Sequence, residues 1–263
     1  MFEEIFNAAV LGVIEGITEF LPISSTGHLI LAGDIIGFTG ETAKTFEVFI
    51  QLGAILAVVW FYREKVSSSI KGVGSEKTNR FLLNLLIAFM PAAFFGLLLH
   101  PFIKHYLFKP VTVAAALVAG GFAIFMIERV VKRAVVTDVD DVSYKQALGI
   151  GLAQTLSLFP GVSRAGATIM GAMCFGLERK AATEFSFFLA IPTMFAATSY
   201  DLLKNIHNLT INDLNIFAVG FIISFFSALV VIKAFLSFVT RHTFDSFAIY
   251  RIIFGAVVLF YYM

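Results

Sequence analysis

Long apolar stretches separated by short polar segments run through the whole chain. Six of them approach the ~20 residues that an α-helix needs to cross ~30 Å of hydrocarbon, so each predicts one membrane span. These runs are Thr45–Tyr62, Phe81–Leu99, Val111–Ile127, Phe185–Tyr200, Ile216–Ile232 and Phe247–Met263. The pattern predicts an all-α polytopic membrane protein with six spans.

Two further apolar segments, Ile5–Ile36 and Ala147–Leu177, are interrupted near their middle by FLPISSTG and FPGVSRAG. Proline removes a backbone N–H, and serine and glycine favour turns, so each segment should break into two half-helices. Broken backbone at membrane depth is tolerated only where it is buried in protein or lines a cavity. We therefore expect two re-entrant hairpins.

The two interrupted segments also match each other in sequence. Gly12, Glu15, Thr18, Phe20, Pro22, Ser24 and Gly27 align with Gly151, Gln154, Ser157, Phe159, Pro160, Ser163 and Gly166. This predicts one membrane domain, residues 1–263, built from two repeats, 1–135 and 140–263, each with one hairpin and three spans. An odd number of spans inverts the second repeat, and matching broken helices in inverted repeats indicate a binding site near the membrane midplane.

Composition supports the membrane class. The 263 residues are 59% hydrophobic and 14% charged, with a mean hydropathy of +0.89, whereas charged residues form ~25% of an average soluble domain. A net charge of +1, with no basic tail, gives no reason to expect a nucleic-acid partner. The single Cys174 excludes an internal disulfide framework.

Basic residues set the expected orientation. Most fall on one side of the predicted spans: Arg63, Lys65, Lys71, Lys77, Arg80, Arg129, Lys132, Arg133, Lys145, Arg179, Lys180, Lys233 and Arg241. Only Lys44, Lys104, Lys109 and Lys204 fall on the other. The positive-inside rule places the richer side in the cytoplasm, so both termini and the mouth of the first hairpin should face outward. Arg251, one turn into the last span, is expected to snorkel to the cytoplasmic side.

Glu15 and Glu19 lie four residues apart, which puts both carboxylates on one face of a helix. Carboxylates in a membrane usually mark a pathway, a proton relay or a metal site, and hard oxygen ligands suit Mg²⁺ or Ca²⁺. Alternatively, one glutamate caps a half-helix and the other points to water.

Ser24, Ser25, Thr26 and His28 follow the first break. A helix that begins there presents free N–H groups, which favour an anion such as phosphate. His28 lies three residues past Ser25, so a serine nucleophile with a histidine base is one interpretation. The other is that the hydroxyls satisfy a broken backbone and His28 is an interfacial residue. Spacing leaves both open.

Arg164, within PGVSRAGAT, is expected at the tip of the second hairpin. Its fork of donors matches phosphate oxygens, although a structural pair with one of the two glutamates is the alternative. Gly161 and Gly166 would allow close backbone approach, and Ser163 and Thr168 would add hydroxyl donors.

The repeats carry different chemistry. Where the first has its two glutamates, the second has Gln154 and Leu158, and only the second has Arg164. A complete site therefore needs both hairpin tips, which favours an enzyme over a symmetric carrier. The competing class is a polyprenyl-phosphate flippase or ion-coupled transporter of the same architecture.

EGITEFLPISSTGH and PGVSRAGAT resemble the two signature motifs of the undecaprenyl-diphosphate phosphatase family, also known for bacitracin resistance. The first motif, two glutamates separated by three residues, is Glu15 and Glu19 here. The second, PGxSRSxxT, matches Pro160, Gly161, Ser163, Arg164 and Thr168. Ala165 stands where the family usually has serine.

The resemblance implies hydrolysis of a polyprenyl diphosphate to the monophosphate and phosphate, at the outer face of the bacterial inner membrane, to recycle the lipid carrier of peptidoglycan synthesis. It also implies a divalent cation, Mg²⁺ or Ca²⁺, near Glu15 and Glu19. With Arg164 on the phosphates, Ser25 is the preferred nucleophile and His28 its base or a proton donor; His28 as direct nucleophile is the alternative. Substrate contacts are expected from Ser24, Thr26, Gly161, Ser163, Gly166 and Thr168. The chain permits a homodimer, although nothing in the spans specifies one.

Overall fold

A computed structural model describes residues 2–103, 107, 109–131, 134–205 and 213–263. Over these ranges the chain forms eleven α-helices and no β-sheet, which confirms the all-α class. The helices are α1 Phe2–Thr18, α2 Ser25–Ile35, α3 Glu41–Phe61, α4 Arg63–Lys71, α5 Glu76–Phe102, α6 Pro110–Val130, α7 Tyr144–Gln154, α8 Arg164–Cys174, α9 Arg179–Asn205, α10 Asp213–Val239 and α11 Asp245–Tyr262. Short 3₁₀ turns occur at Val139–Asp141 and Thr155–Leu158.

Six of these helices, α3, α5, α6, α9, α10 and α11, are long and apolar enough to cross a membrane. They contain the six predicted apolar runs almost completely, which confirms the number of spans within the described residues. Helices α5 and α9 begin earlier than the apolar pattern predicts, at Glu76 and Arg179, because charged residues extend each helix beyond its apolar part. The short helix α4 has no counterpart in the sequence prediction.

Both interrupted segments break as predicted. Helix α1 ends at Thr18 and α2 begins at Ser25, with Pro22 in the turn between them. Helix α7 ends at Gln154 and continues as a 3₁₀ turn before α8 begins at Arg164. Proline cannot donate to the preceding helical turn, so neither segment continues as one helix.

Each hairpin packs against a long helix from the other half of the chain. Helix α1 packs chiefly on α10, and α7 chiefly on α5, while α6 pairs with α11. The approach is close in both cases. A methyl group at Gly16 would lie 2.5 Å from the Ser224 carbonyl oxygen, and one at Gly151 would lie 2.5 Å from that of Ala88. Small residues therefore let each hairpin backbone touch its neighbour.

Away from the hairpins, Asp140 joins the α6–α7 connection to the helices beside it. Its carboxylate accepts from Lys65 Nζ at 2.5 Å and lies 3.1 Å from Lys77 Nζ. Burial raises the pKa of Asp140, but the two ammonium groups outweigh it and hold the pKa below its usual value.

Candidate active site

The two hairpin turns share an unusual backbone conformation. Ser24 has φ 70° and Ser163 has φ 72°, and they are the non-glycine residues with positive φ in the described part of the chain. Such residues are strained by ~1–3 kcal/mol and persist only where their surroundings fix them, often at functional sites. The two serines are aligned in the sequence repeat, so the turns correspond in shape as well as in sequence.

The surroundings fix each serine differently. The Ser163 hydroxyl accepts from the Gly166 N–H at 3.0 Å, which caps α8, and donates to the Leu21 carbonyl of the first turn at 3.4 Å. Ser24 makes no side-chain cap to α2; instead its carbonyl is contacted by His28 Nδ1 at 2.7 Å. The second turn thus carries a link to the first.

Glu19 is where the two hairpins meet. Its Oε2 accepts a hydrogen bond from Ser25 Oγ at 2.5 Å, and its Oε1 accepts one from Arg164 Nη2 at 3.1 Å. All three side chains are largely buried. The structure therefore brings together the expected glutamate, serine and arginine, and Arg164 pairs with Glu19, as the structural alternative also predicted.

The Arg164 guanidinium retains capacity for another anion. Nη1 donates to the backbone carbonyl and hydroxyl of Ser186, at 3.1 and 3.3 Å, and the second bond of Nη2 goes to the sulfur of Met194 at 3.2 Å. A thioether is a weak acceptor. The buried Nε has no partner. Buried donors are normally satisfied, so this N–H and the weakly bound Nη2 hydrogen suit the oxygens of a phosphate.

Glu15 lies one turn before Glu19 and is fully buried, yet neither carboxylate oxygen has a hydrogen-bond partner. The aligned residue, Gln154, is equally buried but has polar partners: its NH₂ donates to Ala88 O at 3.4 Å, and its Oε1 lies 3.3 Å from Thr193 Oγ1. A buried carboxylate needs a proton or a cation. Glu15 therefore lies where a bound proton or a cation would stabilise it, and a cation at this position stays a prediction.

Among the hydrogen bonds of the described residues, none joins His28 to Ser25. Its Nδ1 lies 2.7 Å from the Ser24 carbonyl and its Nε2 lies 2.7 Å from the Tyr250 hydroxyl, and its ring stacks on Phe254 with centroids 4.0 Å apart. A carbonyl only accepts, so Nδ1 carries the hydrogen and a neutral Nε2 accepts from Tyr250. In this arrangement the acceptor beside the Ser25 hydroxyl is Glu19.

The remaining expected substrate residues lie around the same turns. Thr26 is half-buried in the first turn of α2. Gly161 has φ 94°, and an added methyl group would collide with the Val113 carbonyl, so glycine is needed there. The Gly166 N–H is taken by the Ser163 cap, and Thr168 Oγ1 lies 2.6 Å from Ser186 Oγ.

Arg251 is a residue whose position the sequence reasoning missed. It is 1% exposed, so the expectation that it snorkels is wrong. Its guanidinium donates to five backbone carbonyls at 2.9–3.3 Å. The acceptors are Pro22, Ala116, Leu117, Gly161 and Val162. Arg251 thereby joins both hairpin turns to α6. A lysine at this position, with three donors, could not serve all five carbonyls. The signal in the sequence is an arginine within an otherwise apolar span.

Comparison with known proteins agrees with these features. Residues 8–257 match the model of a family described as bacitracin resistance protein BacA. The chain belongs to this family. A protein of Nitrosomonas europaea named undecaprenyl-diphosphatase is 56% identical over 255 residues, which cover 97% of this chain and 93% of that protein. The family membership predicted from the two motifs is confirmed.

Two further relatives carry the same name. One from Methylobacillus flagellatus is 53% identical and covers 98% of both chains. One from Nitrosospira multiformis is 56% identical and covers 97% of this chain and 94% of its own. The similarity extends over nearly the whole length, so it includes both hairpins and all six long helices.

Proposed function

We propose that this chain is an integral-membrane phosphatase that hydrolyses undecaprenyl diphosphate to the monophosphate and inorganic phosphate. The observation that carries the proposal is the contact of Ser25 and Arg164 with the two oxygens of Glu19. It joins a nucleophile, a proton acceptor and a phosphate ligand from separate halves of the chain. Family membership and the names of the relatives support the substrate.

The chain's own residues provide both steps of a hydrolysis. Ser25 Oγ forms a bond to the terminal phosphorus as its proton passes to Glu19, and the bond from that phosphorus to the bridging oxygen breaks, releasing undecaprenyl monophosphate. Water then attacks the phosphorus of the phosphoserine, and the bond from phosphorus to Ser25 Oγ breaks. Glu19 returns its proton to Ser25 Oγ, and both hydrogens of the water leave with the inorganic phosphate. Arg164 holds the phosphate oxygens throughout, and such charge neutralisation accounts for most of the catalysis in phosphoryl transfer.

Glu15 and Glu19 are the residues that would hold a divalent cation, Mg²⁺ or Ca²⁺. In the part of the chain that the structure describes, no three His, Cys, Asp or Glu side chains form a cluster that could hold a metal ion. Magnesium is often bound by one or two carboxylates, with substrate phosphates and water completing its shell. Two glutamates therefore suffice, and a bound cation would neutralise charge on the diphosphate.

We further propose that the two halves are inverted repeats whose hairpins enter the bacterial inner membrane from opposite sides. The corresponding serine turns and the paired packing of α1 on α10 and α7 on α5 support the repeat. The distribution of basic residues favours an outward-facing site, with both termini outside. Recycling of the lipid carrier and bacitracin resistance would follow from that location. A homodimer stays a prediction.

The test is phosphate release from undecaprenyl diphosphate by the purified protein in detergent, with and without Mg²⁺ or Ca²⁺. Metal-dependent release that is lost in Glu19→Gln and Arg164→Ala, and kept in Glu3→Gln on exposed α1 surface, would establish the composite site. A flippase or ion-coupled transporter shares the repeat architecture but needs two compartments. No release by folded parent protein under either metal would therefore rule out the phosphatase and favour transport.

A further inference from the structure

The Arg164 side chain is connected to its own backbone through two hydroxyl groups on different helices. Nη1 donates to Ser186 Oγ at 3.3 Å, Ser186 Oγ lies 2.6 Å from Thr168 Oγ1, and Thr168 Oγ1 lies 2.9 Å from the Arg164 carbonyl. Ser186 and Thr168 are both 0% exposed. Water therefore does not compete for these bonds.

The chemistry of the groups fixes the direction of each bond. A guanidinium only donates, so Ser186 Oγ accepts from Arg164. The carbonyl only accepts, so Thr168 gives its one hydrogen to the backbone of α8. The Ser186 hydrogen must then go to Thr168 Oγ1. The result is a closed ring of hydrogen bonds that starts at the guanidinium and ends at the carbonyl of the same residue.

We propose that Ser186 and Thr168 are positioning residues that set the guanidinium of Arg164 for the transferred phosphate, and that Thr168 acts through this ring and not as a substrate ligand. The proposal rests on the proposed phosphatase function. The Ser186 carbonyl adds a second contact to Nη1 at 3.1 Å, so α9 holds one side of the guanidinium. The Nε and the weakly bound Nη2 hydrogen stay available to the substrate.

The ring also assigns a role to the threonine that ends the PGxSRSxxT motif. The Thr168 hydroxyl has one hydrogen, which is used by carbonyls of its own helix at 2.9 and 3.2 Å, and its oxygen is occupied by Ser186. A substrate phosphate would have to break this arrangement to gain a donor there. Ser186 lies outside the motif, on α9, where sequence alone gives it no connection to Arg164.

Thr168→Val and Thr168→Ser form a matched pair that separates shape from hydrogen bonding. Valine keeps the shape and removes the hydroxyl, whereas serine keeps the hydroxyl and removes a methyl group. We expect Thr168→Val to lower kcat by about 10- to 100-fold, as for a misplaced catalytic group, with KM changed far less. The kcat of Thr168→Ser should stay within about threefold of the parental value, because the hydroxyl group is kept.

A double-mutant cycle with Ser186→Ala tests whether the two hydroxyls act as one unit. Each single change breaks the same ring, so the double variant should be no slower than the slower single one. Losses that multiply would overturn the proposal, because Thr168 would then act on the substrate independently. Full activity of both Thr168→Val and Ser186→Ala would overturn it as well.

Thr183→Val is the control for removal of a buried hydroxyl from α9. The Thr183 hydroxyl donates to the Arg179 carbonyl of its own helix at 2.8 Å and forms no bond to Arg164, so we expect parental kcat. Thermal unfolding in detergent would show that all variants are folded. The outcome is distinct from failure of the phosphatase function itself, because in that case the parent protein releases no phosphate at all.

Discussion

Ser25 Oγ lies 2.5 Å from Glu19 Oε2, whereas both ring nitrogens of His28 are engaged by other groups, the Ser24 carbonyl and the Tyr250 hydroxyl. The nucleophile and its proton acceptor are therefore six residues apart in the chain, on either side of the broken turn. The same carboxylate binds Arg164 through its other oxygen.

Removal of either member of this pair should stop turnover. We expect Ser25→Ala to lower kcat on the order of 10⁴-fold or more, because the nucleophile is lost. Glu19→Gln should lower it by about 10²- to 10⁴-fold, the range for a general base. Phosphate release under single-turnover conditions measures both. A Ser25→Ala variant with kcat near the parental value would assign the attack to another group.

His28 should act mainly as a brace for the Ser24 carbonyl. His28→Asn can keep an N–H donor near that carbonyl, so we expect it to lose less than about tenfold in kcat, whereas a lost general base costs about 10²-fold or more. His28→Ala removes the brace and should be slower than His28→Asn. The measurement is kcat for both variants and for Tyr250→Phe as the control at the other ring nitrogen. Equal and large losses in the Asn and Ala variants would instead support a base.

Glu15→Gln should separate cation binding from folding. The substitution removes a buried carboxylate without hydrogen bonds, so we expect the variant to unfold at the same or a higher temperature than the parent when no metal is added. Millimolar Mg²⁺ or Ca²⁺ should raise the unfolding temperature of the parent and not of the variant. Equal metal stabilisation of both proteins would remove Glu15 from the cation site.

Arg251→Lys should destabilise the protein although it keeps the charge. Three ammonium donors cannot serve five carbonyls, so buried acceptors lose their partners, and we expect a decrease of about 3 kcal/mol in unfolding free energy. Phosphate release should fall as well, because both hairpin turns lose an anchor. Denaturant unfolding in mixed micelles measures the first effect. The exposed Arg63→Lys is the control, with little expected change.

Asp140 should make stability depend on acid pH. Because its folded pKa is depressed by Lys65 and Lys77, its stabilising contribution is present above the unfolded pKa of ~3.9 and is lost as pH falls through the lower folded value. Asp140→Asn should therefore be less stable than the parent at pH 7. The difference should shrink as the pH falls below ~3.9 and disappear once the pH is below the folded pKa of Asp140. A constant difference across the whole range would show that the loss is due to packing.

Local chemistry made much of the fold predictable. Proline and serine within apolar segments located both breaks, and uninterrupted apolar length located the six long helices. The pairing of Arg164 with Glu19 was one of two stated alternatives, because a buried charge in a membrane has few partners to choose from. Residue type and spacing along the chain are sufficient to predict features of this kind.

Contacts between distant helices were not predictable in this way. The Tyr250 hydroxyl forms a hydrogen bond with His28 Nε2 although the two residues are 222 positions apart in the chain. Ser186 contacts Arg164 from α9. The prediction for Arg251 was wrong because an arginine near the end of a span usually snorkels to water. Here five backbone carbonyls in the protein interior accept its hydrogen bonds instead. Only packing shows which carbonyls those are.

The acceptors of Arg251 are all backbone carbonyls, so the anchor recognises the path of the chain and not the side chains along it. Ala116, Leu117 and Val162 contribute no side-chain atom to these bonds. The half-buried Ala116 and Val162 can therefore be replaced without moving the turns that carry the chemistry, whereas the fully buried Leu117 is also constrained by core packing. Tolerance to substitution should be high at Ala116 and Val162 and low at Arg251, and a saturation library selected for bacitracin survival would display that contrast.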